Sequence, residues 1–140
     1  MKAHPMTAMP PRFDITPDQI SAQMAAFYRE IRRHPVLGPV FTAKITDWPA
    51  HEEKIASFWR NAILHERGYD GRPQQVHMAT PSVQPEHFPI WLNLFEDVAH
   101  RSLPETAATP WVALARRIGD AMQDGVAMAR QPAGSPPILR

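Results

Sequence analysis

Seven histidines and not one cysteine decide what chemistry is on offer in this chain. Without thiols, disulfides, iron–sulfur ligation, thiolate metal sites and cysteine nucleophiles are excluded, and imidazole is left as the strongest metal ligand. The spacing of the histidines removes further classes. A zinc peptidase needs His-Glu-x-x-His, but His51-Glu52 and His65-Glu66 each lack the second histidine. A di-iron bundle needs two Glu-x-x-His units, and the nearest approach is a single Asp97-x-x-His100. No glycine-rich phosphate loop is present, and no Ser/His/Asp set can be recognised from spacing.

His77 stands apart because of what surrounds it. It falls in the stretch from Tyr69 to Pro81, Tyr-Asp-Gly-Arg-Pro-Gln-Gln-Val-His-Met-Ala-Thr-Pro. Gly71 frees the backbone to turn, Pro73 presets φ for a first helical position, and Pro81 disfavours helical geometry at Thr80. Only a turn or two of helix fits between them. A histidine on so short and braced a helix can aim its imidazole at a metal, and one axial imidazole is enough to hold haem iron. The plainer alternative is a partly exposed histidine with no ligand role. The two readings separate on whether other segments supply an apolar slot and a few polar groups facing it.

Those segments read as helices. Thr16-Pro17-Asp18-Gln19 is an N-cap, a proline at the first helical position, an acid in the first turn and a glutamine three past the cap. From there Ile20, Met24, Phe27, Tyr28 and Ile31 recur on one face of a 3.6-residue period. Pro35 closes this helix, and Val36-Leu37-Gly38-Pro39-Val40-Phe41 forms a tight apolar corner in which Phe41 is expected to be buried. Thr46 or Asp47 caps a second long helix running from about Pro49 to His65, whose inner face carries His51, Ile55, Phe58, Trp59 and Ala62. His51 either closes the polar end of this stripe or gates a cavity below it. After a loop over 82–89, a third helix to about Ser102 carries Phe88, Trp91, Leu92, Phe95, Val98 and Ala99. Pro104 breaks the chain, and Thr109-Pro110 is expected to cap a fourth helix bearing Val112, Ala115, Ile118, Gly119, Met122 and Val126. β-Branched residues never alternate usefully with polar ones, so the fold class is all-α.

Composition sets the outer bounds. At 140 residues the chain suits one domain. We expect a flexible N-terminal arm over 1–13, a helical domain over 14–130 and a disordered proline-rich tail over 131–140. Fifteen Lys plus Arg balance 14 Asp plus Glu for a net charge of +1, with no basic run interleaved with aromatics, so nucleic-acid binding is not expected. No apolar run long enough to span a membrane occurs, and residues 1–11 lack a signal-peptide centre. A cytoplasmic protein without membrane contact is expected.

Several separate pieces together carry a family resemblance. They are Phe27-Tyr28, then His34-Pro35-Val36-Leu37-Gly38-Pro39-Val40-Phe41, then Trp48-Pro49-Ala50-His51 with Lys54-Ile55 and Phe58-Trp59. Tyr69-Asp70-Gly71 with Pro73 and His77, and Trp91-Leu92 with Leu94-Phe95, complete the set. In order and spacing this resembles the group III truncated haemoglobins over roughly residues 17–126. The glycine pairs of the sister groups are absent.

The resemblance implies a shortened globin fold, a two-on-two helical sandwich around haem b. It implies His77 as the proximal iron ligand, Tyr28 as the distal tyrosine, His51 as the distal gate and Trp91 as the indole facing bound ligand. Phe41, Ile55, Phe58 and Trp59 would line the haem slot, and Arg72 is a candidate partner for a propionate. The implied function is binding of dioxygen or another diatomic ligand at ferrous iron by a monomer. Dioxygenase- or peroxidase-like redox work on nitric oxide or peroxide, served by an unidentified reductase, is open. The alternative from a different class is a haem-free helical sensor or interaction module that keeps the globin shape.

Overall fold

The computed structural model describes residues 9–69, 71–73, 76–77, 80 and 82–130. Among them, five helices and no strands are found: α1 (Pro17–Arg33), α2 (Leu37–Thr42), α3 (Trp48–Leu64), α4 (His87–Ser102) and α5 (Glu105–Ala129). The chain is all-helical, as its periodicity implies. The long helices pair as α1 with α3 and α4 with α5, and α1 then lies on α4 to join the two pairs.

Helix α1 begins where its cap dictates. The Thr16 hydroxyl accepts the Gln19 amide at 3.1 Å, and the Gln19 side chain returns the bond to the Thr16 amide at 2.9 Å. A reciprocal cap of this kind satisfies two amides that would otherwise lack partners, worth about 1 kcal/mol. Ile20, Met24, Phe27, Tyr28 and Ile31 are all buried, and so is Gln23, whose amide nitrogen reaches the Phe95 carbonyl at 3.4 Å. The corner after α1 has a device of its own. His34 turns its Nδ1 back to accept the amides of Val36 at 3.1 Å and Leu37 at 3.2 Å, so its ring replaces the missing start of α2.

Helix α3 starts on the Asp47 carboxylate, which accepts the Ala50 amide at 3.1 Å. It ends at His65, which adopts left-handed geometry at φ 62° and closes the last turn. The segment before α1 covers that end. Arg12 donates its backbone N–H to the Ile63 carbonyl and its Nε–H to the Ala62 carbonyl, each at 2.9 Å. Most of the expected arm, residues 1–8, and all of the expected tail lie outside the described residues.

One expectation fails at α5. The helix begins at Glu105, with Pro104 at its N-cap, and Pro110 sits inside it rather than at its start. Proline has no N–H to return to the Thr106 carbonyl, and such a lost bond costs about 3 kcal/mol in a helix interior. Tertiary burial overrides the local rule. The added turn takes Ala107 and Ala108 fully out of water beside Trp111, itself 0% exposed. The Pro104 carbonyl accepts the amides of both alanines at 2.9 Å. Further along α5, a Cβ at Gly119 would stand 2.9 Å from a Leu92 methyl, so this glycine sets how closely α4 and α5 approach.

Candidate functional site

Between α3, α4, α5 and the strap before α4 lies a cavity of about 420 Å³, within the usual range for a cofactor site. All eight residues singled out from the sequence border it: Tyr28, Phe41, His51, Ile55, Phe58, Trp59, His77 and Trp91. The inner surface is mostly aliphatic and aromatic. Lys44, Lys54 and Arg72 also border it, against the single carboxylate of Asp47, so cations outnumber anions in the lining.

Two stripes of α3 divide the labour. Ala56, Trp59 and Ile63 are buried in the core, whereas His51, Ile55, Phe58 and Ala62 are only partly covered. His51, Ile55 and Phe58, one turn apart, face the cavity. Phe58 meets Tyr69 edge-on at 5.3 Å between ring centres. A side chain at Gly71 would run into the Tyr69 ring, so that glycine leaves Tyr69 room to fold over the slot.

One polar group of the cavity gathers around Tyr28. Its ring meets His51 edge-on at 5.0 Å and Phe41 at 5.9 Å, and Trp48 adjoins both Tyr28 and His51. Burial raises the Tyr28 pKa, the nearby Glu52 carboxylate raises it further, and a hydrogen bond from Trp91 opposes them. The phenol is therefore a neutral O–H donor at any ordinary pH. The tyrosine thus keeps its own proton for a guest in the cavity. Trp91 is held by stacking on Phe95 at 5.6 Å and by Phe27 edge-on at 5.1 Å. Burial, then Lys54 and His77, push the His51 pKa down to about 4, so its ring is neutral. Its Nε2 is buried and has no hydrogen-bond partner among the described residues.

The second polar group is His77. Pro73, Val76 and His77 have helical backbone, and the Val76 amide bonds the Arg72 carbonyl at 3.0 Å. His77 Nδ1 lies 2.6 Å from the Pro73 carbonyl. A carbonyl can only accept, so Nδ1 carries the proton and Nε2 keeps its lone pair. Burial lowers the His77 pKa, with the Pro73 contact acting the other way, which favours the neutral ring that metal binding needs. Phe88 packs against the imidazole with ring centres 5.6 Å apart.

Comparison with known proteins fixes the family. Over 87 residues, 59% of this chain and 68% of the relative, the sequence is 37% identical to the group 3 truncated hemoglobin ctb of Campylobacter jejuni. This chain belongs to the group III truncated haemoglobins. The fold agrees: the crystal structure of a group III truncated hemoglobin from Campylobacter jejuni superposes with a TM-score of 0.76 at 31% identity, covering 84% of this chain and 95% of that one. No family model matches the sequence. Membership implies haem as the group the cavity receives.

The residues present in this globin fit such a group. An imidazole with Nδ1 engaged and its lone pair left on Nε2, together with an apolar slot, is the donor set haem requires, and His51 adds a buried Nε2 that has no hydrogen-bond partner among the described residues. Two features of the site were not read from sequence. Lys44 and Lys54 border the cavity, and Phe88 packs on the His77 imidazole, although the spacing from Phe88 to Trp91 and Leu92 had already placed it on the apolar stripe of α4.

Proposed function

We propose that His77 holds haem b through Nε2 and that Tyr28, His51 and Trp91 receive dioxygen or another small diatomic ligand at the same cavity. The observation carrying this is the pairing of two differently prepared imidazoles on one apolar slot. His77 has Nδ1 tied to the Pro73 carbonyl, which leaves the lone pair on Nε2, and His51 has a buried Nε2 with no hydrogen-bond partner among the described residues.

When bound, haem supplies an iron centre that takes a diatomic ligand and leaves partial negative charge on its outer atom. The protein's part is to meet that charge. Tyr28 offers a neutral O–H at the largely apolar cavity, with the Trp91 indole bordering the same space. His51 sits beside Tyr28 with its ring perpendicular at 89°, where a swing of the side chain would exchange the guest for water. Lys44, Lys54 and Arg72 would meet the propionate carboxylates, the arginine in a two-pronged contact.

The test is an absorption spectrum of the purified protein in ferric, ferrous and carbon monoxide forms. An intense violet band that moves with redox state and ligand is expected. A colourless protein that fails to take up added haem would overturn the reading.

A further inference from the structure

The strap that carries His77 has a second fastening, which comes from the end of α5. Arg130, the residue that ends α5, donates Nη1 to the Val83 carbonyl at 2.7 Å. Its Nη2 donates to the Thr80 carbonyl at 2.8 Å and touches the His77 carbonyl at 3.5 Å. The His77 and Thr80 carbonyls lie at the end of the turn that bears the imidazole and have room for a second donor beside a backbone amide, and the Val83 carbonyl belongs to the loop that follows. Inside the turn, the Thr80 amide bonds the His77 carbonyl at 3.3 Å, the Val83 amide bonds the Thr80 carbonyl at 3.1 Å, and the Thr80 hydroxyl bonds the Val76 carbonyl at 2.7 Å. All of this network is backbone except Thr80 and Arg130.

We infer that Arg130 is a positioning residue for the axial ligand, a guanidinium clamp that fixes the strap's backbone and so fixes where the His77 imidazole points. This rests on His77 being the iron ligand. The geometry suits the task. Pro73 fastens the ring from the start of the turn, through Nδ1, and Arg130 fastens the main chain from its end. A planar fork can hold carbonyls from two places in the strap at once, and a positive charge is favoured at the carbonyl end of a helix. Lysine reproduces the charge but not the fork.

The experiment compares Arg130→Ala and Arg130→Lys with the wild-type holoprotein in three readouts. The first is the rate of haem transfer to an acceptor apoprotein. The second is the iron–histidine stretching band of the ferrous form, and the third is the C–O stretch of the carbon monoxide complex, which reports the Tyr28 side. In Arg130→Ala, haem loss should accelerate about tenfold to a hundredfold, as for other residues that orient a metal ligand. The iron–histidine band should broaden and shift while the C–O stretch stays put, and Arg130→Lys should recover only part of the loss. An unchanged transfer rate and iron–histidine band in Arg130→Ala would overturn the inference. So would a C–O stretch that moves along with them, since that indicates general loosening.

Two controls separate this inference from the reading beneath it. If His77→Ala keeps a histidine-ligated haem, both fail together. If His77→Ala loses haem but the Thr80 and Val83 amides of the haem-free Arg130→Ala chain exchange with solvent as slowly as in wild type, the clamp alone fails.

Discussion

The two sides of the cavity are built by opposite means. Tyr28, His51 and Trp91 stand on long helices, α1, α3 and α4, whose starts are capped in two of the three cases and whose inner faces form the core. Each is aimed by its own helix and then locked by aromatic neighbours. His77 stands in the strap before α4, where Pro73, Val76 and His77 have helical backbone and only Thr80 of the described residues over 71–80 is buried. It is held by backbone carbonyls, Pro73 on one side and the Arg130 contacts on the other. Precision on the first side comes from packing and on the second from hydrogen bonds. Substitutions on the helices should therefore change ligand chemistry gradually, and substitutions on the strap should change whether haem stays at all.

The severest break of this comparison is His77→Ala. Stable haem retention should be lost, measured as the ratio of the violet band to protein absorbance after purification. A full complement of five-coordinate haem would reassign the axial ligand. On the other side, Tyr28→Phe removes one dry hydrogen bond and should speed oxygen dissociation by roughly five- to tenfold, equivalent to about 1 kcal/mol or slightly more, with haem retained. Stopped-flow displacement by carbon monoxide reads it, and an unaltered rate would take the tyrosine out of ligand binding.

Acidity offers a third probe that touches both sides at once. His51 and His77 both bind protons less readily in the folded chain than when exposed, so the unfolded state takes up protons first as pH falls. Stability of the haem-free chain should thus be intact above about 6.5 and decline as pH drops from 6.5 toward about 4, the folded value for His51. Urea titrations across that range, with the His51 ring followed by NMR, check it; a ring midpoint near 6.5 would contradict the buried, neutral assignment. The mildest change is Thr16→Ala, which removes the α1 cap and should cost about 1 kcal/mol of unfolding free energy while leaving the oxygen dissociation rate alone. A changed rate there would mean that the helix, and not the aromatic neighbours, sets the aim of Tyr28.

How far the sequence reveals each side follows from the same contrast. The helix-borne residues were legible because burial forces a 3.6-residue period: Ile20 to Ile31 and Phe88 to Ala99 announce both the helix and the face. His77 was legible through the glycine and prolines around it. Arg130 was not. Its partners are main-chain carbonyls 47 to 53 residues away, and carbonyls look alike in every residue, so no side-chain pattern marks the contact. The start of α5 was misread for a different reason. Thr109-Pro110 is a good local cap, but the gain from burying Ala107 and Ala108 is tertiary and outweighs it. Trp111 passed unnoticed as a result, although it lies four residues before Ala115 and eight before Gly119 on the same buried stripe.

The placement of the tryptophans has a practical outcome. Trp59 and Trp91 border the cavity, Trp111 lies 5.6 Å from Trp59, and Trp48 adjoins His51. All four indoles of the chain thus stand within a ring or two of wherever a porphyrin would sit. Such a chromophore drains the excited state of any nearby indole, so ultraviolet emission should be bright in the empty protein and nearly dark in the loaded one. Occupancy could then be followed in real time with no label attached.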